Sequence, residues 1–464
     1  MRQLLLILGA LTLSVVSCRD QASSTTEPSS RASSLSAGEK AGKPPPVLLI
    51  GADGLDLKLV RRLARRGRLP NLSRLMEQGA SGVLLSEREI RSPAIWTTIA
   101  TGRPRAVHGI YDFVTGSRLW PRDRRSDEKR LVTSKMRKAR AIWNLASAEG
   151  RSVAVVGWLN TWPAEKVNGV MVSPYVAIGR AKQITIKGNV YPDEPYQVHP
   201  AARWKEIKAL ITTPEDVPDE LVDRFVGELD EALLSEVPLI PRYLDGLRWS
   251  LSHTLTMKEI ALQLMKEEAP DLTMVYLEGA DSLGHRFWLF RRSVAHIAAQ
   301  LEEAKLPAEH AEELRATFGE VIDRYYELLD EVVGELLAAL PADGQVLVVS
   351  DHGFGNRSGL YKLPKSTPFT GEHRLEGTII LAGDRARAGA IAYGATIYDI
   401  TPTLVDLLGL EAKLPFEGHS LLPSLTEEPD PGSEADHLAE GPATDNEAFR
   451  DQEMERLRSL GYVQ

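Results

Sequence analysis

The chain has 464 residues, of which 43% are hydrophobic and 26% are charged, and its formal net charge is -9 at pH 7. These values are typical of a soluble globular protein with a large buried core, built as one large domain or two smaller ones. The negative net charge argues against a nucleic acid polymer as partner, because the overall field of the protein repels one.

The first residues carry an export pattern. Arg2 precedes an apolar stretch at residues 4–13, and small residues lead to Cys18, which predicts a signal peptide over residues 1–17. The cysteine is the only one in the chain, and its position resembles a bacterial lipoprotein signal, in which the thiol takes a lipid. We therefore expect an exported lipoprotein on the periplasmic or cell-surface side of a membrane, and Arg19 favours the outer membrane. An uncleaved anchor helix is the alternative.

A catalytic domain is predicted over residues 46–425, after a flexible tether at residues 18–45. A strand at residues 48–52 ends in Asp53 and Gly54, and two amphipathic helices and a second strand follow up to residue 85. The α/β alternation predicts a mostly parallel central sheet with helices on both faces.

The segment at residues 91–102 has the signals of a helix. Serine is favoured as an N-cap, proline at the first helical position and glycine just past the end, so a helix is expected from Pro93 to about Thr101. Ser92 then lies at the positive end of the helix, where an alkoxide or a bound phosphate is stabilised. Ser92 is therefore either a reactive group or only the cap.

Further elements follow in chain order. The alternation fades at residues 177–244, which we interpret as a helical cap over the site, and an acidic tail with a short helix is expected at residues 426–464. The other predicted elements are a helix at 140–150, strands at 153–158 and 169–172, helices at 249–267 and 308–340, strands at 272–277, 346–349 and 377–381, and a helix at 395–410.

Potential metal ligands follow three of these strands. The first strand ends in Asp53, the strand at 272–277 leads into Asp281 with His285 four residues on, and the strand at 346–349 ends in Asp351 and His352. Ligands bind at the carboxyl ends of strands in open α/β sheets, so these side chains can converge.

With His373 the set has six nitrogen or oxygen ligands, which suits two metal ions better than one. The mixture of carboxylates and imidazoles favours zinc, with manganese as the second choice. These ligands also have structural interpretations: turn chemistry for Asp53, a helix-start pair for Asp281 and His285, a cap for Asp351, and a surface position for His373.

Three further residues are candidates for substrate contact. Asn160 and Thr161 follow a strand, and Arg286 adjoins a candidate ligand. A core or turn role is the alternative for the first two.

The motifs together resemble the alkaline phosphatase superfamily, and within it the type I phosphodiesterase/nucleotide pyrophosphatase group with its related phosphohydrolases and phosphomutases. The resemblance covers about residues 46–423. It is carried by GADG at 51–54, SPAIWTTIATG at 92–102, HGIYDF at 108–113, DSLGH at 281–285, SDHG at 350–353 and GEH at 371–373.

This resemblance implies an alkaline phosphatase-like fold and a phosphate ester substrate, with Ser92 as the nucleophile that forms a phosphoserine. It also implies two ligand sets, one of Asp53, Ser92, Asp351 and His352, the other of Asp281, His285 and His373.

One departure concerns substrate choice. The group has an Asn that binds a phosphate oxygen where this chain has Phe113, so monoesters, diesters and phosphoryl transfer all stay open. The sequence after Ser92 lacks the x-Pro-x-Arg pattern of sulfatases, which argues against sulfate esters. The first hypothesis is a lipid-anchored phosphohydrolase. The alternatives are a phosphotransferase or phosphomutase acting on an envelope sugar or lipid headgroup, and a surface binding lipoprotein that retains the fold.

Overall fold

The computed structural model describes residues 43–423 except 118, 123–129, 179–182, 187–188, 193–195, 228–230, 238–239, 304 and 357–370. The predicted signal peptide, Cys18, most of the tether and the acidic tail lie outside the described residues. Within them, no helix combines the length and the apolar character that a membrane span requires.

A nine-stranded sheet forms the centre of the domain, in the order β13-β2-β12-β9-β1-β8-β3-β4-β7. Strands β12 and β7 run against the others, so the expected mostly parallel sheet is confirmed. The strands are β1 Val47–Ala52, β2 Ala80–Leu85, β3 Val153–Val156, β4 Gly169–Val172, β5 Gln183–Ile186, β6 Asn189–Pro192, β7 Val198–His199, β8 Leu272–Leu277, β9 Gln345–Val349, β10 Gly353–Asn356, β11 Gly371–Arg374, β12 Glu376–Ala382 and β13 Ala390–Ala392.

Helices cover both faces of this sheet. Side chains alternate along a strand, and in β1 Leu48 and Ile50 join one hydrophobic cluster while Val47 and Leu49 join the other. The helices are α1 Leu57–Ala64, α2 Pro70–Gln78, α3 Ser92–Thr101, α4 Arg105–His108, α5 Ile142–Ala148, α6 Trp204–Ala209, α7 Asp219–Asp223, α8 Glu231–Glu236, α9 Ile240–Glu268, α10 Gly279–Phe287, α11 Val294–Glu303, α12 Ala311–Phe318, α13 Val321–Ala339 and α14 Ile400–Leu407.

Three expected helices differ from the observed ones. The helix expected at residues 249–267 begins nine residues earlier, because α9 starts at Ile240. The single helix expected at residues 308–340 is divided into α12 and α13, with the break at Gly319, a residue type that disfavours helix. The helix expected from residue 395 begins only at Ile400. The Asp399 carboxylate accepts hydrogen bonds from the backbone and hydroxyl of Thr396 and so holds residues 396–399 in a turn.

The segment interpreted as a cap packs on the main domain. Strand β7 pairs with β4 at the edge of the central sheet, and the helices α6 to α8 follow. Ile207, Val222 and Phe225 are buried in the same hydrophobic cluster as α9 and α13. The insertion was expected to be helical, but it also contains the strands β5, β6 and β7, so it is helical only in part. Its role as a cap stays a prediction.

Candidate metal centre and active site

The candidate site lies where the three central strands end. In the register of the sheet Gly51 pairs with Val349, so Asp53 and Asp351 leave their strands at the same level. The Asp53 carbonyl accepts a hydrogen bond of 3.0 Å from the backbone N–H of Asp281, at the start of α10. Gly54 makes this approach possible: its φ is +71°, and a Cβ there would lie 2.9 Å from the Asp281 Cα.

A short strand pair brings in His373. Strand β10 follows His352 directly and pairs with β11, so that Phe354 lies opposite His373. The His373 ring then stacks on the His352 ring with centroids 3.8 Å apart and planes inclined by 22°.

The structure brings together all six nitrogen and oxygen ligands expected from the sequence. Two groups have ligand atoms within 4.8 Å of one another, and His352 belongs to both. The groups are Asp53, Asp351 and His352, and Asp281, His352 and His373. His285 joins the second group, because its Nε2 lies 2.8 Å from His373 Nε2 and 3.3 Å from Asp281 Oδ1.

His352 Nε2 lies at the centre of this cluster. It is 3.2 Å from Asp53 Oδ1, 3.5 Å from Asp281 Oδ1 and 3.7 Å from Asp351 Oδ2. Its other ring nitrogen, Nδ1, donates to the Gly353 carbonyl at 3.0 Å, which fixes the ring orientation.

The inward-pointing atoms of the cluster fit metal ions. Asp53 Oδ1, Asp281 Oδ1, Asp351 Oδ2 and His352 Nε2 are buried and have no hydrogen-bond partner among the described residues. His373 Nε2 is 3.0 Å from Asp281 Oδ1, but the geometry is not that of a hydrogen bond. Each buried polar atom left unpaired costs about 1–3 kcal/mol, and coordination of a cation would remove that cost.

The electrostatics of the cluster also favour the binding of positive charge. Burial and the Asp53 carboxylate raise the pKa of Asp351 well above its ordinary value. Burial alone lowers the pKa of His352, but the carboxylates of Asp351, Asp53 and Asp281 raise it overall to about 10. The carboxylates of Asp53, Asp281 and Asp351 thus repel one another, and divalent cations would relieve the repulsion.

Two aromatic side chains orient Asp53. Its Oδ2 accepts hydrogen bonds from Trp96 Nε1 at 3.0 Å and from the Tyr276 hydroxyl at 2.5 Å, which leaves Oδ1 directed into the cluster. The Trp96 indole packs directly against Gly51, and any larger residue there would clash with it, because a Cβ would lie 2.7 Å from the indole ring. The sequence reasoning missed both donors. The spacing of Trp96, four residues after Ser92, was the signal that could have revealed one of them.

Ser92 is the first residue of α3, and the extended Arg91 before it occupies the N-cap position. The interpretation of Ser92 as only the cap is therefore wrong. Residues four apart share a helix face, so Ser92 lies on the same face as Trp96, whose indole bonds to Asp53. Ser92 is 7% exposed, and its hydroxyl forms no hydrogen bond with another described residue.

The HGIYDF motif holds α3 in place through a buried, neutral histidine. His108 Nδ1 accepts from the Ile110 N–H at 3.2 Å, and its Nε2 lies 3.0 Å from Thr98 Oγ1 on α3. Burial, assisted by Arg105 and Arg137, lowers the pKa of His108 to about 3.

The three candidate substrate contacts lie outside the ligand cluster. Asn160 Nδ2 donates to Pro93 O at 2.7 Å and to Thr97 Oγ1 at 2.9 Å, so it supports the start of α3. The fully buried Thr161 donates to Trp158 O at 2.6 Å within its own turn. Arg286 Nη1 donates to the carbonyl and hydroxyl of Ser282 along α10. Their contact with substrate stays a prediction.

The family model for type I phosphodiesterase / nucleotide pyrophosphatase matches residues 47–394. The chain belongs to this family. The resemblance identified from the motifs is thereby confirmed, and membership makes the protein an enzyme of the phosphoric ester hydrolase class.

Individual proteins match this chain either over a short segment or at low sequence identity. A 2,3-bisphosphoglycerate-independent phosphoglycerate mutase of Hydrogenovibrio crunogenus (strain DSM 25203 / XCL-2) is 31% identical over 97 residues, which are 21% of this chain and 18% of that protein. Murine ectonucleotide pyrophosphatase / phosphodiesterase 5, an inactive form in complex with AMP, is 15% identical over 82% of this chain and 100% of that chain, with a TM-score of 0.48. Phosphonoacetate hydrolase from Sinorhizobium meliloti 1021, in complex with phosphonoformate, is 18% identical over 68% of this chain and 57% of that chain, with a TM-score of 0.39.

Proposed function

We propose that the protein hydrolyses phosphate esters with Ser92 as the nucleophile. The observation that carries the proposal is the position of Ser92 at the start of α3, on the helix face whose Trp96 bonds to Asp53 in the ligand cluster. The hydroxyl forms no hydrogen bond with another described residue, so it is available to a substrate.

The ligand cluster would hold two divalent cations, zinc as first choice and manganese as second, because carboxylates and imidazoles are mixed. Bound there, the cations would neutralise negative charge on the phosphoryl oxygens. One set of ligands is Asp53, Ser92, Asp351 and His352, and the other is Asp281, His285 and His373.

The protein's own groups account for the rest of the chemistry. Ser92 Oγ attacks phosphorus in line while the bond to the leaving alcohol breaks, which gives a phosphoserine that water then hydrolyses. The dipole at the start of α3 favours negative charge on the transferring group. Asn160 donates a hydrogen bond to the Pro93 carbonyl and so holds this end of the helix in place. Ser92 is thereby positioned for attack before the substrate binds.

The test compares p-nitrophenyl phosphate, bis-p-nitrophenyl phosphate and p-nitrophenyl sulfate, each with added zinc or manganese and with chelator. We expect metal-dependent release from a phosphate ester and none from the sulfate. The ratio of the hydrolysis rates for the diester and the monoester decides between a diester and a monoester substrate, a choice that Phe113 leaves open.

The Ser92→Ala variant should lose turnover while its folding and metal content stay close to wild type. Ser73→Ala, on α2, is the matched control and should keep full activity. Unchanged turnover in Ser92→Ala would remove the nucleophile assignment.

Phosphoryl transfer to an acceptor hydroxyl is the second candidate, and the local likeness to a phosphoglycerate mutase favours it. If the phosphoserine is passed to an alcohol, added polyols or sugars should raise nitrophenol release and yield new phosphate esters. Release of inorganic phosphate alone would leave hydrolysis as the activity.

Cys18 is proposed as a lipid anchor that holds the enzyme at the outer membrane, with Arg19 as the sorting signal. Expressed from its full sequence in a bacterium, the protein should incorporate labelled palmitate and enter the detergent phase. Cys18→Ala should do neither. Equal partition of both forms would contradict the anchor.

A further inference from the structure

One aromatic ring contacts all three histidines of the ligand cluster. Phe354, on β10, is buried, and its ring centroid lies 5.0 Å from that of His285, 5.4 Å from that of His373 and 6.0 Å from that of His352. The rings of His285 and His373 are inclined to it by 80° and 68°, the edge-to-face geometry that aromatic pairs favour. Phe354 is thus an apolar wall against which the imidazoles pack.

Two glycines give this ring its space. Gly284 directly precedes His285 in α10, and Gly371 lies two residues before His373 in β11. A Cβ on Gly284 would lie 3.0 Å from Phe354 Cε1, and a Cβ on Gly371 would clash with the same atom. The backbones of the DSLGH and GEH motifs therefore pack directly on Phe354, which explains why each motif carries a glycine beside its histidine.

The orientation of His373 depends on ring packing. A histidine that binds metal is usually oriented by a hydrogen bond from its other ring nitrogen. His352 has such a bond, to the Gly353 carbonyl. His373 Nδ1 has none to another described residue. Its ring instead stacks on His352 and meets the edge of Phe354, which lies opposite it in the β10–β11 pair.

This packing determines where the ligand atoms point. The Nε2 atoms of His285 and His373 are 2.8 Å apart, and they lie 3.3 Å and 3.0 Å from Asp281 Oδ1. The three atoms converge only while both rings keep their present rotation. A ligand set that is oriented before the metal arrives loses less conformational freedom on binding, and its affinity is correspondingly higher.

We propose that Phe354 is a positioning residue that holds His285 and His373 in the orientation in which they bind a metal ion. Together with Asp281 these histidines are the second ligand set, and Phe354 sets its metal affinity. The first ligand set depends on Phe354 less, because hydrogen bonds orient His352 and Asp53. The inference rests on the metal binding proposed for the cluster and is independent of turnover.

The test is zinc binding to the metal-free full chain, measured in competition with a chelator so that two binding steps are resolved. Asp281→Asn identifies the step that belongs to the second ligand set. Phe354→Leu removes the ring but keeps an apolar side chain. Phe318→Leu is the matched control, because Phe318 is equally buried among aromatic rings but contacts no ligand histidine among the described residues.

We expect Phe354→Leu to weaken zinc binding at the second ligand set about tenfold to hundredfold, as the loss of an orienting contact does, and to leave the other step close to wild type. Phe318→Leu should change neither step. Gly284→Ala, which crowds the ring from α10, should weaken the same step as Phe354→Leu. Combined with Phe354→Leu it should add little further loss, because the two changes act on one contact.

Urea unfolding in excess chelator shows how much each variant loses in fold stability alone. An unchanged second step in Phe354→Leu, an equal loss at both steps, or the same loss in Phe318→Leu would overturn the inference. Failure of the metal site itself gives a different result, because the wild type would then bind no zinc. Two zinc ions in the wild type with Phe354→Leu unaffected would refute only the role of Phe354.

Discussion

The buried His108 makes stability depend on pH in a way that can be calculated. Its pKa is lowered from 6.5 to about 3, first by burial and then by Arg105 and Arg137. Below pH 6.5 the unfolded chain binds a proton at this residue and the folded protein does not, so stability falls as the pH falls from 6.5 toward 3.

The magnitude follows from linkage. At pH 5.0 the unfolded histidine is about 1.5 pH units below its pKa, while the folded one stays neutral, so this single group removes about 2 kcal/mol of stability relative to pH 7.5. In His108→Gln the amide can still donate to Thr98 and accept from the Ile110 N–H, but nothing titrates at this position.

The assay is urea unfolding of wild type and His108→Gln at pH 7.5 and 5.0, with excess chelator throughout so that metal binding does not contribute. Carboxylates titrate in both proteins and cancel in the difference. We expect the wild type to lose about 2 kcal/mol more than the variant between the two pH values. Equal losses would show that the folded histidine titrates normally and would refute the reasoning.

Other predictions concern the ligand cluster. Tyr276→Phe removes one of two donors to Asp53 Oδ2 and should weaken metal binding about tenfold to hundredfold in a chelator competition, whereas Tyr398→Phe, which loses only a bond to Glu87, should not. Asp351→Asn and His352→Ala should each lower metal occupancy at one site by elemental analysis, and full occupancy in both would refute the ligand set. Trp96→Phe, which removes the other donor to Asp53, should likewise weaken metal binding.

Much of the candidate site could be predicted because its signals are local in the sequence. Strand periodicity followed by a polar break placed Asp53 and Asp351 at strand ends, and the i, i+4 spacing of Asp281 and His285 matches their position on α10. The helix at Ser92 was expected to within one residue, because proline and glycine mark its two ends.

What could not be predicted depends on contacts between distant segments. The pairing of β10 with β11, which brings His373 onto His352, has no local signature. The same holds for the antiparallel direction of β12 and for the hydrogen bond from Tyr276 to Asp53, residues 223 positions apart.

The central claim is that Ser92 carries the phosphoryl group during turnover. The most direct measurement mixes the metal-loaded enzyme with excess p-nitrophenyl ester, stops the reaction in acid within one turnover, and maps the phosphorylated peptide by mass spectrometry. We predict phosphate on Ser92, and none when chelator is present. A burst of nitrophenol with Ser92 unmodified, or phosphate on another residue, would contradict the account.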